Sequence, residues 1–212
     1  MDVLSALKYR RTATEWDIET IPSKALISKI IEAATWAPNH RRTEPWRFHV
    51  IAGKAREKLL HAIQDDYCVK GYPQEEITKQ IATIERKFYR SPLMIIVTQF
   101  SHHDDDSDRI LEDYAACACA IQNLLLAAHA EELNTKWSTG KLVYEKGVFN
   151  FLGLENTERI VGFIYMGYGK KDQNTDLILK TASLLIHAAK IDENYTDIEK
   201  SIIEKTLLSL DS

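Results

Sequence analysis

The stretch Ala37–Phe48, APNHRRTEPWRF, sets one imidazole and two guanidiniums between two prolines and then opens an apolar run at Trp46. Proline fixes its own φ and disfavours helix in the residue before it, so the segment is a stiff break between two elements. Upstream, Ser23 is placed to cap a helix in which Leu26, Ile27, Ile30, Ile31 and Ala34 form one apolar stripe. Downstream, Phe48–Ala52 reads as a strand closed by Gly53, with Trp46 and Phe48 as core residues. A second cationic cluster, Arg10-Arg11-Thr12, falls at the end of a first helix carrying Val3, Leu4 and Leu7. Guanidiniums bind phosphate oxygens bidentately and a neighbouring hydroxyl adds a hydrogen bond, so the two clusters suit a phosphorylated, planar ligand. The plain alternatives are a basic helix C-terminus matched to its dipole and a solvated surface loop.

Working outward, Lys54–Arg90 is charged and reads as helical, with an irregular middle at Tyr67–Pro73. Leu93–Thr98 (LMIIVT) is a continuously apolar, β-branched run, as expected of a strand buried on both faces. His102–Asp108 (HHDDDSD) is a polar loop, and Leu111–Ala130 is the strongest helix, apolar nearly all round. A turn through Asn134 leads to Lys136–Gly140 (KWSTG), and Ile160–Tyr168 (IVGFIYMGY) is a second buried strand. From Asp176 onward the pattern is helical, with Thr196 and Glu199 in capping-box spacing. The expected division is a main domain at 1–174 and a helical extension at 175–212.

A chain of 212 residues, 45% apolar and 27% charged, can build one substantial soluble domain. Its formal charge of −4 argues against general nucleic-acid binding. No membrane span is expected, since no apolar run approaches the roughly 18–20 residues that cross a bilayer, and no secretion signal is expected from the N-terminal pattern. Three cysteines then point to a reducing, cytoplasmic setting. His102, His103 and Asp104–Asp106 lack the spacing of a metal site, and Cys117 and Cys119 diverge by roughly 200° on a helix, so no metal is expected. Neither GxGxxG nor a P-loop occurs, and no catalytic triad stands out. An enzyme built this way would leave its chemistry to a cofactor.

Four segments, in order, resemble the flavin-dependent nitroreductase family, and within it the compact single-domain NAD(P)H nitroreductase branch. They are RRT at 10–12, EAATWAPNHRRTEPWRF at 32–48, EDYAACACAIQNLLLAAHA at 112–130, and KWSTG with IVGFIYMGYG further on. The resemblance implies an α+β fold, a mixed sheet flanked by helices, in an intertwined homodimer with FMN at the interface. It implies that Arg10 and Thr12 hold the FMN phosphate and ribityl chain with Arg11 beside them, and that His40 contacts the cofactor. Trp36 would reach the FMN of the partner subunit, and Trp137, Ser138 and Thr139 would run along the isoalloxazine. The implied reaction is ping-pong: NADH or NADPH gives hydride to FMN and leaves, and a nitroaromatic, quinone or similar acceptor enters the same pocket. Three features depart from the family: Glu44 where Gln is usual, Glu131-Glu132 and Asn134 in a turn that usually has glycines, and the long tail after Gly169. The first two leave open a flavin-binding or sensing protein without turnover; the third leaves open an interaction module dominated by its tail.

Overall fold

The computed structural model describes residues 2–100, 106–155 and 157–170. The tail expected at 175–212 and the histidines at 102 and 103 lie outside the described residues.

Helix α1, Val3–Tyr9, starts where Asp2 accepts the Ser5 N–H, and α2, Lys24–Thr35, starts where the Ser23 hydroxyl accepts the Leu26 N–H. Ile27, Ile30 and Ala34 of α2 are buried, as the stripe predicts. Strand β1, Trp46–Ala52, begins two residues earlier than its sequence pattern, with Trp46 already in the core. The charged stretch becomes α3, Lys54–Val69, and α4, Gln74–Phe88, and the interruption between them falls inside the expected Tyr67–Pro73 segment. Strand β2, Leu93–Phe100, leads to α5, Ser107–Ala130, capped by Asp106. Strand β3, Leu133–Ser138, helix α6, Lys146–Leu152, and strand β4, Glu158–Tyr168, complete the order.

The strands line up as β1-β2-β4-β3, and every pairing between them is antiparallel. Among the described residues, parallel pairing enters only through the isolated bridge Thr12–Thr135, which sets the segment after α1 on the free edge of β3. The two-faced reading of LMIIVT holds residue by residue. Leu93, Ile95 and Val97 join the core cluster shared with α2 and α5. Met94 and Ile96 join a second cluster with α3, α4 and the segment around Val148 of α6. The result is a sheet with helices on both faces.

Two local expectations change. Asn134 lies inside β3; the turn is made by Glu131 and Glu132, and Glu132 has φ 61°. A left-handed residue is easiest for glycine, so a carboxylate at this position is costly. Glu131 gains a partner in return, accepting from Lys29 Nζ at 2.6 Å. The second change concerns α5, whose 24 residues do reach the length and mean hydropathy of a membrane span. Its burial explains the composition: Ala116, Cys117, Ala120, Ile121, Leu124 and Ala128 are core residues beneath α2 and the sheet. Burial pushes the Cys117 thiol up to about 12, while Cys119, two positions on, is exposed.

His49 of β1 is half-buried beside the Thr98 hydroxyl at 3.2 Å, and desolvation is the main cause lowering its pKa below 6.5. The fold therefore prefers the neutral ring. Between the folded and unfolded pKa values the unfolded chain binds more protons, so stability rises with pH there and is lost as pH falls below about 6.5. Melting curves from pH 7.5 to 5.5 check this: the decline on acidification is expected to be shallower in His49→Gln than in the parent.

Candidate functional site

The site grows from the free edge of β3. The Ala13 N–H donates to Thr135 O at 3.0 Å and Trp16 Nε1 donates to Asn134 O at 2.9 Å, tying the segment after α1 to that edge. This brings Arg10-Arg11-Thr12 beside the strand that ends in Trp137 and Ser138. Because Thr135 O points outward, strand alternation turns the main-chain groups of Trp137 outward too. Beyond Thr135 they have no main-chain partner among the described residues.

The three residues at the end of α1 are not equivalent. Arg11 donates from one terminal nitrogen to Lys8 O at 2.6 Å and Arg10 O at 2.9 Å, capping the last turn of α1. Its guanidinium is thus spent on the helix end, as the dipole reading foresaw. Arg10 is half-buried and has no hydrogen bond or ion pair from its side chain among the described residues, and the Thr12 hydroxyl is exposed. Arg10 and Thr12 are the pair available to an anionic group.

Trp137 and Ser138 face opposite ways. The Trp137 ring packs against the α2–α5 core and lies over Gly162, where an added Cβ would come within 2.2 Å of its Nε1. That Nε1 is buried and donates to nothing among the described residues. Trp137 therefore offers a ligand its backbone, while its ring shapes the strand. Ser138 points instead into a cavity of about 940 Å³. One wall is a single stripe of α4 including Lys79, Thr83 and Lys87; the other is Lys136, Ser138 and the turn at Gly140–Leu142. Phe163 and Tyr165 of β4 form its floor, and burial pushes the Tyr165 hydroxyl up to about 12. At one end, Tyr67 donates to Glu145 Oε1 at 3.1 Å and Lys70 binds the other oxygen of Glu145 at 3.2 Å, fastening α3 to the segment before α6. Sequence reasoning singled out Ser138 but missed the α4 wall of this cavity. The signal was the four-residue spacing of Glu75, Lys79, Thr83 and Lys87, which marks one face of α4.

Gly162→Ala is a direct probe of this arrangement. The new methyl meets a side chain that can swing, so the fold is expected to survive, with a shifted tryptophan emission and a melting temperature lower by about 2–6 °C. Unchanged emission would contradict the packing of Trp137 on Gly162.

Trp36 and His40 lie elsewhere. Trp36 ends α2 and is 73% exposed. His40 is exposed at the start of a short 3₁₀ turn, its Nε2 accepting from Arg41 Nε at 3.0 Å. The loop backbone is unusual, for Arg41, Arg42 and Glu44 all have φ between 45° and 56°. Such backbone needs anchoring. Thr43 donates to the buried Asp113 of α5 at 2.7 Å, Glu44 N–H donates to Asn39 Oδ1 at 3.1 Å, and Phe100 N–H donates to Pro45 O at 2.7 Å. The loop leads into β1, at the opposite edge of the sheet from β3. Three strand spacings, roughly 14 Å, separate the two edges. Within one chain the two cationic clusters do not meet.

Trp36 is thus an exposed large apolar side chain, and α1 exposes three more, Val3 69%, Leu4 76% and Leu7 51%; such surface is the kind that another protein covers. Among the described residues no cluster of His, Cys, Asp and Glu is arranged to hold a metal ion.

The profile of the nitroreductase family matches residues 7–168. The Bacillus subtilis protein named "Putative NAD(P)H nitroreductase YfhC" is 31% identical over 163 residues, 76% of this chain and 81% of that one. The crystal structure of a nitroreductase-like family protein from Bacillus cereus superposes with a TM-score of 0.71 at 30% identity, covering 81% of this chain and 87% of that one. The FMN-dependent nitroreductase NfnB of Mycobacterium smegmatis, solved with NADPH, shares the fold at a TM-score of 0.60 and 19% identity, over 79% of this chain and 87% of its own. From the profile match across most of its length, the chain belongs to the nitroreductase family.

Proposed function

We propose that the chain is a cytoplasmic, homodimeric, FMN-dependent NAD(P)H oxidoreductase that reduces nitroaromatics, quinones or similar planar acceptors. One observation carries the reading: the Thr12–Thr135 bridge brings the segment of Arg10, an unspent guanidinium, to the exposed edge of a strand that runs on through Lys136 to Trp137 and Ser138, with Thr139 just past its end. The donors fit the cofactor by type. Arg10 and the Thr12 hydroxyl answer a phosphate, and outward backbone groups at Trp137 answer the polar rim of a planar ring. Arg11 supports them by holding the helix end from which Arg10 projects. FMN, when bound, supplies the hydride relay between nicotinamide and acceptor.

The protein's contribution is position and field. His40 and Trp36 belong, in this reading, to the site of the partner subunit, which resolves their distance from Arg10. The positive charge of Arg41 and Arg42 favours the negative charge that a flavin gains on reduction; Glu44 opposes it from an exposed position. The cavity beside Ser138 gives an acceptor room next to the ring. No side-chain acid or base is required. Residues 1–174 form the flavin-binding part, with 175–212 appended to it.

The test is the visible spectrum of purified protein, followed by NADH or NADPH added without oxygen. A flavin spectrum that bleaches is expected. A colourless protein, or a yellow one that never bleaches, overturns the proposal, the second result leaving a flavin-binding protein without turnover.

A further inference from the structure

The cavity beside Ser138 carries more positive charge than a cofactor phosphate held by Arg10 and Thr12 would call for. Lys79 and Lys87 of α4, Arg90 beyond its end, Lys136 of β3 and Lys141 of the following turn all line it. None of the five joins an ion pair among the described residues. Three carboxylates also line it: Glu145 is paired with Lys70, while Glu75 and Glu76 keep their charge, Glu76 accepting from the neutral Gln80 side chain at 2.8 Å, so the five cations remain in excess. Arg10 and Thr12 do not line it. Beneath this rim the floor is apolar and aromatic: Ile84, Phe163 and Tyr165, each at most 6% exposed. Unpaired cations around an aromatic floor fit a flat ring that carries an anionic substituent.

We propose that this cavity makes the enzyme selective for acceptors that bear their own negative charge, aromatic carboxylates above all, with Lys79 and Lys136 on facing walls as specificity-determining residues. The inference rests on the oxidoreductase reading and names the acceptor class for that site. For a nitro acceptor each turnover moves one hydride from NAD(P)H and one proton from solvent onto the substrate, the nitro group becoming nitroso with loss of water. The carboxylate takes no part in that step; it fixes the ring by charge. Charge at a partly open site is screened, so the preference is expected to shrink as salt is raised.

The experiment compares 4-nitrobenzoate with its neutral near-isostere 4-nitrobenzamide, in the parent and in the double variant Lys79→Gln with Lys136→Gln. In the parent kcat/KM is expected to favour the carboxylate by about tenfold, the worth of one or two such contacts. In the double variant that ratio is expected to fall towards one, through KM for the carboxylate. No preference in the parent, an equal loss for both acceptors, or a rise in the KM of NADPH instead would overturn the proposal. That last result would assign the cations to the phosphates of the donor. Tryptophan-quenching titrations of the same proteins with the two compounds keep the test decisive without turnover. A protein that binds no flavin but prefers the carboxylate retains the anion site and loses the oxidoreductase reading; equal binding of both compounds removes the anion site.

Discussion

Arg10→Ala is expected to purify without flavin while keeping its circular dichroism and its oligomeric state. Arg10 is half-buried, and its side chain forms no hydrogen bond or ion pair among the described residues, so its loss costs the fold little. It is also the guanidinium placed, through the Thr12–Thr135 bridge, beside the β3 edge. One or two charge-assisted bonds to a phosphate, at about 1.5–3 kcal/mol each, correspond to an affinity lower by roughly ten- to a thousandfold or more. Arg11→Ala is the informative contrast. Arg11 caps α1 through Lys8 O and Arg10 O, so its removal is expected to lower the melting temperature slightly and weaken flavin binding much less. Stoichiometric flavin in Arg10→Ala would contradict the phosphate assignment. So would a larger loss in Arg11→Ala.

Gly147→Ala is expected to be the most damaging single methyl in the described fold. Helix α6 crosses α3 so closely at this glycine that a Cβ would stand 2.5 Å from Ala62 O and 2.6 Å from Ile63 Cα. Both are backbone atoms of a helix, so neither can step aside as a side chain would. Overpacking of this kind costs about 3 kcal/mol or more, a fall of roughly 6–12 °C in melting temperature for a protein of this size. The damage reaches the site, since Glu145 stands two residues away and fastens α3 to this segment through Tyr67 and Lys70. A thermal melt checks it; an unchanged midpoint would mean that α3 and α6 do not approach as described.

The fold was legible where periodicity and capping speak for themselves. LMIIVT declared a two-faced strand, Ser23 declared the start of α2, and the Ala- and Leu-rich run declared the core helix α5. Of the site, Arg10-Arg11-Thr12 and Trp137–Ser138 were legible as motifs, but the division of labour among them was not. Whether a guanidinium caps a helix or waits for a ligand depends on one side-chain rotamer, and sequence does not encode that visibly. The direction of Trp137 was hidden for a similar reason: it follows from the β3 register against Gly162, which is set by long-range pairing. The stripe of α4 was hidden by charge. A cavity wall of Lys, Gln and Thr looks like a solvated face until a second wall stands opposite. The unusual backbone of Arg41, Arg42 and Glu44 had no sequence signal beyond the flanking prolines, because none of the three is a glycine.

The joining of two half-sites, Arg10 with the β3 edge of one chain and Trp36 with His40 of the other, is tested most directly by flavin counting in mixed dimers. Chains carrying Arg10→Ala and chains carrying Trp36→Ala with His40→Ala are co-expressed under different affinity tags, and the heterodimer is captured by both. Each heterodimer then contains one intact composite site and one doubly broken site, so about one flavin per dimer is expected, above either parental homodimer. A heterodimer holding no more flavin than its parents would contradict a site shared between two chains.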